Sequence, residues 1–327
     1  MNMLSPLRYP GGKGQLVRKI ESLIKENGCD GGQYIEPYAG GSSISMYLLL
    51  NKVVDQIFIN DIDISIYAFW HSVINNSTEL LSMISSTEIT VEEWDRQKEV
   101  IKNQNRFSLL DIGFATLFLN RTNRSGILKA GMIGGRKQDG DYKIDCRFNK
   151  TSIVDLIRRI AEQKDRIVVS NLDAIEFIKL YESSFTEKAF IYFDPPYYQK
   201  GKQLYTNYYE PADHEKLSKF IKNEVQHTWI LSYDDVAEIR ELYSEYSIEN
   251  MKIKYSASEH KKGDEIMIFC PSIFGAGYTP ADIADAFEAA VRNAIAENRQ
   301  KGLPIACYDI ASKRAFLESA DGTREYV

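Results

Sequence analysis

Apolar residues recur along this chain at two spacings, and the alternation between them lays out an α/β fold. Leu16–Lys25 carries apolar residues at 16, 17, 20, 23 and 24, the spacing of one helical face. Gln33–Ile35 is a short apolar run that stops at Glu36-Pro37. The turn Tyr38-Ala39-Gly40-Gly41-Ser42-Ser43 follows, and Ile44–Leu50 reads as a dense apolar helix. Gln56–Asn60 reads as the next strand and ends on Asp61-Ile62-Asp63. Strand, glycine turn, helix, strand and acidic tip make one half of a nucleotide-binding sheet.

Helical periodicity dominates from Ser65 to Asp165 and is broken over Leu119–Lys150. Strand and helix signals then alternate again. Strands are predicted over Arg166–Ser170, Ala189–Phe193, Thr228–Ser232 and Ile266–Cys270, and helices over Ala174–Tyr181 and His214–Asn223. The simplest organisation is an α/β domain built from residues 1–64 and 166–271, with residues 65–165 inserted as a mainly helical second lobe. Residues 272–327 form a small α+β extension. Thr279-Pro280 starts a helix there, Ile283, Phe287, Ala290, Val291, Ala294 and Ile295 form its apolar stripe, and Gly302 and Pro304 stop it. Asp321-Gly322 between two β-like runs signals a hairpin. This extension carries no catalytic constellation.

Composition narrows the function classes. With 327 residues, 44% hydrophobic and 26% charged, the chain can bury a sizeable core. A net charge of −6 rules out a protein that coats nucleic acid with overall positive charge. Positive charge is instead local: Leu119–Lys150 holds eight Lys/Arg against three Asp, a balance of +5. The four cysteines, Cys29, Cys146, Cys270 and Cys307, lie far apart, without CxxC pairs or histidines at zinc spacing. Neither a metal site nor a disulfide framework is expected. No apolar run approaches the ~18 residues of a membrane span, and no basic-then-apolar signal opens the chain. A cytoplasmic location and no membrane partner are expected.

The strongest chemical signal is Asp194-Pro195-Pro196-Tyr197, which follows the apolar strand Phe190-Ile191-Tyr192-Phe193. A buried parallel strand delivers its C-terminal end to the site of an α/β sheet. An exocyclic amino group on a base is a poor nucleophile, because its lone pair is delocalised into the ring. The Asp194 carboxylate and a backbone carbonyl of the Pro pair can each accept one N–H, which favours a tetrahedral nitrogen aimed at an incoming methyl. Prolines lack an N–H and fix φ, so they hold that carbonyl without a competing donor. Tyr197 offers a face for an extruded base, and stacking contributes about 1–3 kcal/mol, comparable to the cost of flipping.

Two other segments gain meaning beside it. In Glu36-Pro37-Tyr38-Ala39-Gly40-Gly41-Ser42 the glycines let a ligand approach the backbone, although a strict GxGxxG is absent and an ordinary turn reads equally well. Asp61, about twenty residues on, can bind the two hydroxyls of a ribose. Asp63 is a second choice that can also serve as a helix cap. Arg8-Tyr9-Pro10-Gly11-Gly12-Lys13 places an aromatic ring and a cation before the first helix. The helix dipole does not favour a cation there, which suggests an anionic ligand group such as a carboxylate or phosphate.

These motifs, in this order, resemble the Dam-type (D12 class) DNA adenine-N6 methyltransferases. They stand here as Pro10–Lys13, Glu36–Ser42, Asp61 and Asp194–Tyr197, with Leu119–Gly126 similar to the family's Leu-Asn-Arg-x-x-x-x-Gly segment. The likeness covers about residues 3–271, and it departs at Tyr38, where the family usually has Phe, and at Gly40-Gly41-Ser42. It implies a Rossmann-like methyltransferase sheet with helices on both faces and an inserted target-recognition domain. It implies S-adenosylmethionine as donor, held by Tyr9, Lys13, Glu36, Tyr38, Gly40, Asp61, Asp173 and Asp194, with Asp194, Pro195, Pro196 and Tyr197 catalytic. Double-stranded DNA is the implied substrate, with a restriction endonuclease as partner if the chain serves a restriction–modification system. A monomer or weak dimer suffices.

The basic insert suits DNA, since Arg reads guanine, Asn reads adenine, and Lys or Arg neutralises phosphate. Asn120, Arg121, Asn123, Arg124, Arg136 and Lys137 are the expected DNA residues. The alternatives to compare are a cytosine-N4 methyltransferase and a catalytically inactive DNA-binding regulator. A cytosine-C5 enzyme does not fit, because no cysteine follows a proline.

Overall fold

The structure, a computed structural model, describes residues 5–8, 16–199, 208–254 and 262–273, together with part of 292–326. Tyr9 and Lys13 lie outside the described residues, as does most of the stripe from Ile283 to Ala294. The chain divides into two compact units, Met1–Ala276 and Gly277–Val327.

The larger unit is built on a seven-stranded sheet in the order β3-β2-β1-β4-β5-β7-β6. Its strands are β1 (Gln33–Glu36), β2 (Gln56–Asn60), β3 (Ile167–Ser170), β4 (Ala189–Phe193), β5 (Thr228–Asp234), β6 (Ser247–Lys254) and β7 (Lys262–Phe269). The first five are mutually parallel, and β7 runs antiparallel between β5 and β6. Every residue of β4 is buried, and so is every residue of β1, as strands covered on both faces require. Right-handed connections put the helices between β1 and β3 on one face and those between β3 and β5 on the other.

Helix α1 (Val17–Glu26) buries Val17, Ile20, Leu23 and Ile24, matching its predicted stripe. Helix α2 (Ser43–Leu50) follows the glycine turn. The predicted insert holds α3 (Ile64–Asn75), α4 (Ser77–Ser86), α5 (Val91–Lys102), α6 (Leu109–Thr122) and α7 (Lys150–Ala161). Ala68, Val100, Ile112 and Ala115, of α3, α5 and α6, form a small buried cluster of their own. Phe69 and Trp70 of α3, Phe118 of α6 and Ile157 of α7 belong to the same buried cluster as Ile57 and Phe190 of the sheet. Through these residues α3, α6 and α7 share the core of the sheet. Helices α8 (Ala174–Tyr181), α9 (Pro211–Glu224) and α10 (Ala237–Leu242) complete this unit.

In the smaller unit β8 (Ile305–Asp309), β9 (Arg314–Glu318) and β10 (Arg324–Tyr326) form an antiparallel sheet. The β9–β10 pairing is the hairpin expected around Asp321-Gly322, although those two residues lie outside the described set. Arg292, Ile295 and Asn298 are helical, in the region where a helix was expected. Among the described residues no helix is long and apolar enough to cross a membrane.

Candidate active site

Strands β1 to β4 deliver their C-terminal ends to one edge of the sheet, and the strand order reverses between β1 and β4. That reversal opens the crevice in which α/β sheets bind ligands. Glu36, Asp61, Asp173 and Asp194 sit at or just beyond the ends of β1, β2, β3 and β4, one carboxyl from each strand.

The loops are held together by Asn60, the last residue of β2, which is buried. Its Nδ2 donates to the carbonyls of Pro37 and Leu172, both at 3.0 Å, and its Oδ1 accepts from the Leu172 amide at 2.9 Å. One amide side chain thus ties three strand ends. The turn after β1 passes through left-handed backbone at Gly40 (φ 46°) and Ser42 (φ 43°). A side chain at Gly40 would strain that turn. The indole Nε1 of Trp70 donates to the Gly40 carbonyl at 3.0 Å and fixes it from α3.

Asp61 is half-buried, and its two oxygens accept from the amides of Gly40 and Asp63, each at 2.9 Å. Burial pushes its carboxyl up to about 7, against those two amide bonds. Glu36 is buried and accepts from the Ser45 hydroxyl. Burial pushes its carboxyl up to about 8; the Ser45 bond opposes this, and the negative charges of Asp194 and Asp61 add to it. Asp63, the second choice for a ribose contact, caps α3 by accepting from the Ser65 amide at 2.9 Å. Asp173 caps α8, with Oδ1 accepting from the amides of Ile175 at 3.0 Å and Glu176 at 3.4 Å.

The Asp194–Tyr197 loop is held by side chains. Ser232 Oγ donates to Asp194 Oδ1 at 2.7 Å and lies 2.9 Å from the Tyr192 hydroxyl. Both oxygens of buried Asp234 accept backbone amides, from Tyr198 at 2.8 Å and Gln199 at 3.0 Å. Tyr197 is 4% exposed and donates its hydroxyl to buried Glu265 on β7. Beside this loop Tyr38 and Tyr209 pair through hydroxyls 2.9 Å apart, and the rings of Tyr198, Tyr209 and Tyr233 surround His214. Burial raises the Tyr38 hydroxyl well above the usual range and that of Tyr209 to about 12, so both remain neutral phenols near neutral pH.

The six expected DNA residues part into two groups. Asn120, Arg121 and Asn123 are buried. Asn120 Oδ1 accepts from the Arg8 amide at 2.6 Å, and its Nδ2 donates to the carbonyls of Arg8 at 2.6 Å and Gly126 at 2.9 Å. Arg121 donates from Nε to the Pro6 carbonyl at 2.6 Å and from Nη2 to Ser5 at 3.2 Å. Asn123 accepts from the Trp94 indole at 2.6 Å and donates to Ile127 and Leu128, both at 3.0 Å. These three side chains bond groups inside the protein. Two of them clamp Ser5–Arg8, the segment entering Tyr9–Lys13, and Asn123 braces the loop behind it. A Cβ on Gly126 would sit 2.6 Å from the Arg8 carbonyl, so only glycine admits that approach. Arg124, Arg136 and Lys137 are exposed, and Arg136 forms a two-pronged pair with Asp95 at 2.8 and 2.7 Å.

Sequence reasoning missed Asn60, Ser232, Asp234 and Glu265. Asn60, Ser232 and Asp234 are polar residues in or at the end of largely apolar strands, and that placement was the available signal; Glu265, in the mixed stretch Lys262–Phe269, offered none.

Comparisons with known proteins agree with this arrangement. Residues 9–257 match the profile of D12 class N6 adenine-specific DNA methyltransferases. The Type II methyltransferase M.MjaIII of Methanocaldococcus jannaschii is 25% identical over 234 residues, covering 66% of this chain and 78% of that protein. The Type II methyltransferase M.CviBI of Paramecium bursaria Chlorella virus NC1A is 22% identical over 269 residues, covering 80% of this chain and 95% of that protein. The chain belongs to the D12 class N6 adenine-specific DNA methyltransferase family.

Proposed function

We propose that this adenine-specific DNA methyltransferase takes its methyl group from S-adenosylmethionine and acts on an adenine turned out of the duplex, with Asp194–Tyr197 as the catalytic loop. The observation that carries this reading is the convergence of Glu36, Asp61 and Asp194 at the switch point, beside the left-handed turn at Gly40. The donor set fits the cofactor: acidic side chains suit a sulfonium and an ammonium, and the Asp61 oxygens, each holding one amide, retain lone pairs for ribose hydroxyls. When bound, S-adenosylmethionine supplies a methyl activated by the positive sulfur. The chain's residues bind and align. Asp61 and Glu36 hold the donor, Tyr38 bounds its site, and Asp194 accepts a proton-bearing bond from the adenine amino group. The family assigns adenine N6 rather than cytosine N4. By analogy with the two Type II relatives, a restriction endonuclease is the partner to seek. Label passing from methyl-labelled S-adenosylmethionine into plasmid DNA supports the reading; bound cofactor with unlabelled DNA refutes it.

The Asp61 carboxyl gives a pH test. Because its value is raised to about 7, the proton leaves only near neutrality, and the double-acceptor form grows as pH rises. Cofactor affinity is expected to weaken up to about tenfold from pH ~8 to pH ~6, as for one linked proton. Asp61→Asn should bind more weakly and lose this component of the pH dependence in calorimetric titration. Stability runs the other way. Ionising Asp61 and Glu36 in the empty site costs free energy, so the apoprotein loses stability as pH rises from 3.8 and 4.5, their ordinary values, through about 7 and about 8.

Arg124, on the exposed loop after α6, remains a DNA contact in this proposal. Arg124→Ala should weaken duplex binding about tenfold with cofactor affinity unchanged. Unchanged duplex affinity in a fluorescence-anisotropy titration would remove Arg124 from the interface.

A further inference from the structure

The structure assigns Glu265 a positioning role in methyl transfer: it fixes where the Tyr197 ring sits through that residue's hydroxyl. The inference rests on the reading of Asp194–Tyr197 as the catalytic loop.

Prolines at 195 and 196 supply no amide donors, so this loop has little means of holding itself. Its anchors come instead from one face of two neighbouring strands. Ser232 and Asp234 alternate along β5 and so point the same way. Glu265 on β7 lies directly opposite Asp234 in the antiparallel register and shares that face. Ser232 holds Asp194, Asp234 holds the amides of Tyr198 and Gln199, and Glu265 holds the Tyr197 hydroxyl. Each grips a different point of the loop.

The third anchor matters for chemistry because an unanchored tyrosine ring can swing about its Cα–Cβ bond. A hydrogen bond donated from the tip to a carboxylate that is itself 1% exposed removes that swing before a base arrives. Glu265 reaches the loop only because β7 runs between β5 and β6. The antiparallel strand at this end of the sheet thus contributes to the site at its parallel centre.

The test uses Glu265→Leu, Glu265→Gln, Tyr197→Phe and the Leu/Phe double variant, with Asp194→Ala in parallel. Single-turnover rates and cofactor affinity are measured, together with the fluorescence of 2-aminopurine at the target position of a duplex. Glu265→Gln keeps an acceptor oxygen and should stay within about threefold of wild type. Glu265→Leu and Tyr197→Phe should each slow transfer about tenfold to a hundredfold, with cofactor affinity unchanged. The double variant should be no slower than either single, because both remove one interaction. The 2-aminopurine probe should be less quenched in both singles, since the ring no longer holds its stacking position. Wild-type rates in Tyr197→Phe or Glu265→Leu, or losses that multiply in the double variant, overturn the assignment. If Glu265→Leu does not fold, the contrast between Tyr197→Phe and Glu265→Gln decides the same question. An active Asp194→Ala would instead show that the catalytic-loop reading itself is wrong.

Discussion

Asp194→Ala is expected to slow methyl transfer by at least about a thousandfold, some 4 kcal/mol of barrier, while the protein stays folded. Asp194 stands one residue beyond a fully buried strand, and the Ser232 hydroxyl, 2.7 Å away, sets the rotation of its carboxyl group. The adenine amino nitrogen gives up conjugation with its ring to become nucleophilic. An acceptor placed in advance for one of its N–H bonds stabilises that change only as it occurs, so its loss falls on the rate. Removing the side chain leaves a half-buried strand end with no new cavity in the sheet, so thermal stability should shift by only a few degrees. Asp194→Asn separates charge from shape: it keeps an oxygen for Ser232 but loses the negative charge, and should be nearly as slow. A rate near wild type in either variant would mean that another group receives the proton-bearing bond.

Arg121→Ala is expected to lower cofactor affinity by more than about tenfold and to cost about 2–4 kcal/mol of stability, with duplex affinity little changed. The guanidinium is buried, and burial lowers its value to about 10, with the nearby positive charge of Arg8 acting the same way. Its donors meet the carbonyls of Ser5 and Pro6, so truncation frees the segment that leads into Tyr9–Lys13, which we propose to line the cofactor site. Asn120→Ala should act in the same direction, because that side chain bonds both the amide and the carbonyl of Arg8. Calorimetry with S-adenosylmethionine and anisotropy with a duplex separate the two possible roles. Duplex binding lost with cofactor binding intact would return Arg121 to the DNA interface.

The difference between these two residues shows what the sequence could carry. The place of Asp194 at the end of a buried strand was legible because a five-residue apolar run ends at a proline pair. The glycine turn and Asp61 were legible for the same reason: local geometry dictates those residue types. The burial of Arg121 was not legible because composition counts charge but not direction. Eight cations in Leu119–Lys150 looked like one basic surface, yet α6 is buried all round from Ile112 to Thr122, Asn120 and Arg121 included, while Arg124 beyond it is exposed. Strand β6 was missed because no face of Ser247–Lys254 is consistently apolar, which suits an edge strand carrying Lys252 and Lys254. Ser232 and Asp234 were missed because their role exists only once β5 lies beside β4, and Glu265 because its role exists only once β7 has paired with β5. No local pattern encodes a bond between residues 197 and 265.

The most direct measurement is nucleoside analysis of plasmid DNA incubated with the purified protein and methyl-labelled S-adenosylmethionine, digested and resolved by mass spectrometry. The expected result is label in N6-methyl-2′-deoxyadenosine, absent when Asp194→Ala replaces the wild type. Label in N4-methyl-2′-deoxycytidine, or equal labelling by Asp194→Ala, would contradict it.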